Sequence, residues 1–208
     1  MVANVHPAAR WYNNRVAPPD DPVLDAPMLP GPLRIALIQD SIVIGDARGT
    51  RTRMLERLEE AKAAGADLVV YPELATPGYP PKDLLNHAGV VDACMETVQA
   101  LADAAQGLGV LVGHVAPNPE AQGKPLLNVV SLLGEGSVLH RWTKGLLPSY
   151  DVFDETRYFE AGTSTDLASF RGHQLGVSIC EDMWCVPGRD GRLPYQWSPV
   201  EEQIAQGA

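Results

Sequence analysis

Leu68-Val-Val-Tyr-Pro-Glu73 is a short apolar run that stops at a proline and a carboxylate. Its neighbours decide what it is. Upstream, Gly45-Asp46 turns the chain into a segment whose Met54, Leu55, Leu58 and Ala61 fall at helical spacing, and Gly65 stands where a C-terminal cap belongs. Before that helix lies Leu33-Arg-Ile-Ala-Leu-Ile-Gln39, a β-rich run. Strand, helix and strand over this length predict a parallel crossover, because parallel neighbours cannot be joined by a tight turn. Val91, Cys94, Met95, Val98, Leu101 and Ala105 mark a second helix, and Val110-Leu-Val-Gly-His-Val115 a third strand.

Beyond Val115 the pattern changes. Leu127-Asn-Val-Val-Ser-Leu-Leu133 and Val138-Leu-His-Arg-Trp142 are separated by Gly134-Glu-Gly136, a hairpin signature. Leu167-Ala-Ser-Phe170, Arg171-Gly-His173 and Leu175-Gly-Val-Ser-Ile-Cys180 repeat the device. Crossovers plus hairpins predict an α/β domain with a mixed sheet, or a pair of sheets, with helices outside. Near the C-terminus Ser198-Pro199-Val200-Glu201 reads as a capping box with proline at the first helical position. The helix it opens meets Gly207-Ala208. Ala64-Gly65-Ala66-Asp67 ends the first helix in the same way and leads into a strand, so by analogy a strand is expected after residue 208. Residues 1–32, with seven prolines and almost no apolar periodicity, read as an extended or disordered arm.

Composition bounds the function. The 208 residues are 45% hydrophobic and 20% charged, as expected of a globular domain. A formal net charge of −10 argues against a nucleic-acid or anionic-membrane surface. Three cysteines without a framework fit a reducing compartment, no apolar run approaches the roughly 18 residues of a membrane span, and the N-terminus lacks a secretory pattern. A cytoplasmic protein is expected.

Three positions carry chemistry. Glu73, Lys144 and Cys180 each end an apolar or β-rich run, where α/β folds build their sites. A thiol attacks as thiolate, or as a base removes its proton. A carboxylate raised toward neutrality by burial can be that base, and a lysine can hold the oxyanion of a tetrahedral intermediate. The backbone N–H of Glu181, beside the nucleophile, is the second candidate donor. This set suffices to hydrolyse an amide through a thioester without histidine. Each residue also has an ordinary reading: Cys180 as a small core hydrophobe, Glu73 and Lys144 as surface charges, Glu181 and Asp182 as acids at a helix N-terminus. A Cys–His dyad with His140 or His173 stays open. Cys94 reads as core, the C-x₄-C pair Cys180 and Cys185 lacks the partners of a zinc site, and no phosphate-cradling glycine motif is present.

Tyr71-Pro-Glu-Leu-Ala-Thr-Pro-Gly-Tyr-Pro-Pro-Lys-Asp-Leu-Leu85, Lys144-Gly-Leu-Leu-Pro-Ser-Tyr-Asp-Val-Phe-Asp-Glu-Thr-Arg-Tyr-Phe159 and Ile179-Cys-Glu-Asp-Met-Trp184 resemble the nitrilase (carbon–nitrogen hydrolase) superfamily. Within it they are most similar to the amidase domains of glutamine-dependent NAD⁺ synthetases, over residues 33–208. The resemblance implies a four-layer α-β-β-α sandwich, incomplete at its C-terminus, with the synthetase domain absent. It implies Cys180 as nucleophile, Glu73 as general base and Lys144 as oxyanion stabiliser. Glu155 matches a second carboxylate that holds the lysine and contacts substrate, and Tyr79 and Tyr150 match aromatic positions lining a glutamine pocket. The implied reaction converts glutamine to glutamate and ammonia, with no cofactor in this domain. ATP and Mg²⁺ are expected in the synthetase domain or subunit that receives the ammonia, and self-association is expected. The alternatives are a stand-alone amidase for another ω-amide or carbamoyl substrate, and an inactive fragment or interaction module.

Overall fold

A computed structural model describes residues 30–188 and 191–208; most of the arm expected over residues 1–32 lies outside them. Two crossovers run through β1 (Ile35–Leu37), α1 (Ala47–Ala63), β2 (Leu68–Val70), α2 (Ala88–Ala104) and β3 (Gly109–Pro117). Helix α1 starts where Asp46 accepts a hydrogen bond from the Gly49 N–H (2.9 Å). It ends in a Schellman turn: Gly65 takes φ +74°, its N–H donates to Lys62 O, and the Ala66 N–H donates to Ala61 O. Thr50, Met54, Leu58 and Ala61 form its buried stripe.

Strands β1, β2 and β3 are parallel, as the crossovers require. Strands β3, β4 (Leu126–Gly134) and β5 (Ser137–Thr143) form an antiparallel meander. β6 (Phe159–Glu160) pairs parallel with the start of β4, completing a six-stranded sheet. The β4–β5 hairpin turns at Glu135 (φ +51°) and Gly136 (φ +80°), both left-handed as a tight two-residue hairpin demands. β7 (Ala168–Phe170) and β8 (His173–Leu175) repeat this at Arg171 (φ +48°) and Gly172 (φ +83°), forming a second, two-stranded sheet.

Two cores sandwich the main sheet. On one face Leu58, Val69, Val98, Leu101, Val110 and Val112 pack beneath α1 and α2. On the other, Leu68, Leu111, Val130, Leu132 and Trp142 meet Ala168, Phe170 and Ile179 from the β7–β8 side. Helix α3 (Pro199–Ala205) starts with Ser198 accepting from the Glu201 N–H, and its Gln203 donates to Val177 O (3.0 Å). Helices α1 and α2 therefore cover one face of the main sheet and the small β7–β8 sheet the other, while α3 lies against the chain that follows β8.

One expected strand is shorter than its sequence suggested. β8 stops at Leu175, and residues 176–179 join no ladder. A β pattern needs a neighbouring backbone to become a strand. Here the Val177 carbonyl is taken by the Gln203 side chain instead, and a Cβ on Gly176 would lie 3.1 Å from that side chain.

Candidate active site

Each candidate residue is delivered by a departure from the sheet. Beyond β2 the chain stays against β3: the Tyr71 N–H donates to Leu111 O and the Ala75 N–H to Gly113 O, both at 2.8 Å. Between those bonds Pro72-Glu73 crosses so close to β3 that only glycine fits beneath it. A Cβ on Gly113 would stand 2.6 Å from Glu73 Cα and 2.7 Å from Leu74 N. Leu74 then turns the chain at φ +46°. Lys144 follows β5, with its N–H donating to Asn128 O (2.9 Å) and its carbonyl accepting from the Gly162 N–H (2.8 Å). Cys180 opens a 3₁₀ turn, Cys180–Trp184, at φ +47°. That conformation is costly for a residue with a Cβ; Cys180 is exposed, while Ile179 before it is buried.

These departures bring the three positions together. Lys144, 0% exposed, places Nζ 2.7 Å from Glu73 Oε1 and 2.8 Å from Glu155 Oε2. Burial pushes the Lys144 ammonium down, but the two carboxylates together outweigh it and hold its pKa above the ordinary lysine value. Burial lifts Glu155 above the usual carboxylate range, against the pull of Lys144. The Cys180 thiol is raised by burial and by the nearby charge of Glu73, while Lys144 pulls the other way. The two histidines considered as dyad partners are engaged elsewhere: His173 Nε2 bonds Gly31 O, and His140 packs edge-on against Trp142.

The other expected positions surround this centre. Glu155 is buried in a 3₁₀ turn, and Tyr79 donates to its Oε1 (3.0 Å). Tyr79 and Tyr150 flank Phe153 at centroid distances of 6.3 and 5.5 Å. The Glu181 carboxylate is buried and accepts from the Tyr150 hydroxyl (2.7 Å) and from the Tyr195 hydroxyl. At the second position of its turn, the Glu181 N–H has no partner within the helix. Cys94 and Cys185 are both buried. Among the described residues no group of three His, Cys, Asp or Glu side chains is arranged to hold a metal ion.

Several supporting contacts are not legible in the sequence. Asn128, in β4, donates to Glu73 Oε1 (2.7 Å) and more weakly to Glu155 Oε2 (3.4 Å). Tyr195 joins Tyr150 on Glu181. Asp182 accepts from three backbone N–H groups on two segments. A lone Asn in an apolar strand, read locally, is indistinguishable from a tolerated polar residue.

Residues 34–186 match the profile of the family described as Carbon-nitrogen hydrolase. The chain belongs to the carbon–nitrogen hydrolase family. Among related sequences, the glutamine-dependent NAD(+) synthetase of Synechocystis sp. is 39% identical over 177 residues, which is 83% of this chain and 32% of that protein. Among solved structures, the glutamine-dependent NAD+ synthetase of Acinetobacter baumannii in complex with adenosine diphosphate superposes with a TM-score of 0.71 at 31% identity. That match covers 84% of this chain and 30% of the other. A nitrilase-superfamily amidase from Nesterenkonia AN1 superposes with a TM-score of 0.68 at 25% identity, covering 85% of this chain and 62% of the amidase. This carbon–nitrogen hydrolase chain thus spans about a third of the length of the synthetases it matches. The mixed α/β architecture is that of the nitrilase superfamily.

Proposed function

We propose that the chain hydrolyses the side-chain amide of glutamine through a thioester on Cys180. The observation that carries this reading is the convergence of a buried lysine, two carboxylates and an exposed thiol: Lys144 Nζ bridges Glu73 and Glu155, and the charges of all three act on the Cys180 thiol. Glu73 takes the thiol proton as sulfur attacks the amide carbon, which suits a thiol whose pKa is raised rather than lowered. The oxyanion forms against Lys144 Nζ and the Glu181 N–H. Glu73 returns the proton to the departing nitrogen, and ammonia leaves. A water, deprotonated by Glu73, then releases glutamate from the thioester. Tyr79, Tyr150, Glu155 and the Glu181 side chain line the substrate pocket. Ammonia passes to a synthetase domain or subunit, where ATP and Mg²⁺ serve the amidation of deamido-NAD⁺.

The test is release of glutamate and ammonia from glutamine by the wild-type chain and by Cys180→Ala. The expected result is loss of about 10³-fold or more in kcat for the variant. Glutamine turnover retained by Cys180→Ala would overturn the mechanism. The likeness to the Nesterenkonia amidase supports a second reading, a general small-amide hydrolase. A wild-type chain that turns over simple amides and leaves glutamine untouched would favour it.

A further inference from the structure

Asp182 lies two residues past the nucleophile and is 3% exposed. Its Oδ1 accepts from the Gly145 N–H (3.0 Å) and the Leu146 N–H (2.8 Å), and its Oδ2 accepts from the Ile179 N–H (2.9 Å). An acid serving only the helix N-terminus would bond its own turn and face solvent. Here two of the three donors lie 37 and 36 residues earlier, on the segment that follows Lys144. We infer that Asp182 is a positioning residue that clamps the Lys144 segment to the Cys180 elbow, holding cation and thiol in fixed relation; this rests on the amidase reading above.

Three features make the clamp specific. First, Asp182 closes the elbow twice, because its own N–H also donates to Ile179 O (3.2 Å). Cys180, at φ +47°, is thereby enclosed in a ring that the carboxylate completes. Second, Gly145 admits the Trp197 ring against its Cα: a Cβ there would overlap Trp197 and stand 2.7 Å from its Cη2. The indole and the carboxylate hold the Lys144 segment together. Third, the donor set demands a carboxylate. Both oxygens accept, whereas an asparagine has one acceptor, and its NH₂ would confront a buried N–H at the other end. Glu73 accepts from Lys144 Nζ at one end of the clamp, and its charge acts on the thiol at the other. A shift at either end therefore opens the reacting triangle, while Tyr79 and Glu155 keep their own bond.

The experiment compares Asp182→Asn with wild type in the full chain by two readouts. In steady-state glutamine hydrolysis, Asp182→Asn is expected to lower kcat by about 10²-fold with KM changed less than about fivefold. In alkylation of Cys180 by iodoacetamide, followed by mass spectrometry across pH, the midpoint is expected to fall toward that of a free cysteine as the thiol loses its fixed neighbours. A folded variant with wild-type kcat and an unmoved alkylation profile overturns the proposal, even with a lower melting temperature. If wild type hydrolyses no amide, the amidase reading fails, and the alkylation profile still decides the clamp. If Asp182→Asn does not fold, amide hydrogen exchange on wild type decides it. Slow exchange at Gly145, Leu146 and Ile179 together is expected, and exchange at free-peptide rates overturns the clamp.

Discussion

Glu73 depends on a residue it never bonds through its side chain. Gly113 leaves the space in which the Glu73 backbone crosses β3, and any Cβ there collides with backbone atoms that cannot swing aside. Gly113→Ala should therefore displace the carboxylate by a fraction of an ångström while most of the core survives. Glutamine hydrolysis is expected to fall about 10²-fold. Steady-state kinetics beside a thermal melt would check this, and an unchanged kcat would show that Glu73 tolerates the shift. Lys144 poses the complementary case. It is the buried cation between Glu73 and Glu155, so Lys144→Met leaves two carboxylates facing each other with little water. Removing one partner of a buried ionic group costs about 3–5 kcal/mol, and urea denaturation should read a loss of that order along with lost activity. Each residue reads as an ordinary surface charge or spacer until its neighbours are known.

At the scale of elements, glycines do two different jobs. Gly136 holds φ +80° in the β4–β5 turn, yet nothing lies within 4 Å of where its Cβ would be. The cost of Gly136→Ala is thus conformational and not steric, about 1 kcal/mol. A lowered urea midpoint with kcat unchanged is the expected outcome; a stability loss several times larger would mean the turn is packed after all. Its companion Glu135 also sits at positive φ, and its carboxylate accepts from the Gly107 N–H (2.9 Å), tying the hairpin to the end of α2. The hairpins and both crossovers were legible in the sequence because turn chemistry and helical spacing are local. Leu175–Cys180 reads as a full strand yet forms none beyond Leu175, for the converse reason. Its apolar run is β-like, but strand formation requires a neighbouring backbone, and a helix side chain took that place.

Across the whole molecule, acid sensitivity is built into the sheet. His114 is 0% exposed, with Nδ1 paired to Val115 O (2.9 Å) and Nε2 to Ser131 Oγ (2.8 Å). Burial holds its pKa at about 4, below the ordinary 6.5. Between those values the unfolded chain binds a proton that the folded chain refuses. The stabilisation is therefore complete above pH 6.5 and drains away as pH falls toward 4, on the order of 3 kcal/mol in all. Urea unfolding at intervals from about pH 7 to about pH 4 should show this decline. In His114→Gln the histidine component should vanish; an identical slope in both proteins would assign the acid loss to carboxylates.

Element order, the crossovers, both hairpin turns and the helix caps were determined by the sequence alone, because periodicity, capping and left-handed turn residues act within a few positions. The three reactive side chains at run ends were also visible one by one. Only the tertiary structure decided that Lys144 lies buried between Glu73 and Glu155, that Asn128 holds a carboxylate, that Gly113 must lack a Cβ and that Asp182 spans two segments. Hydrogen bonds, close packing and mutual shifts of pKa depend on distances of a few ångströms between residues far apart along the chain. Such distances exist only once the sheet has assembled.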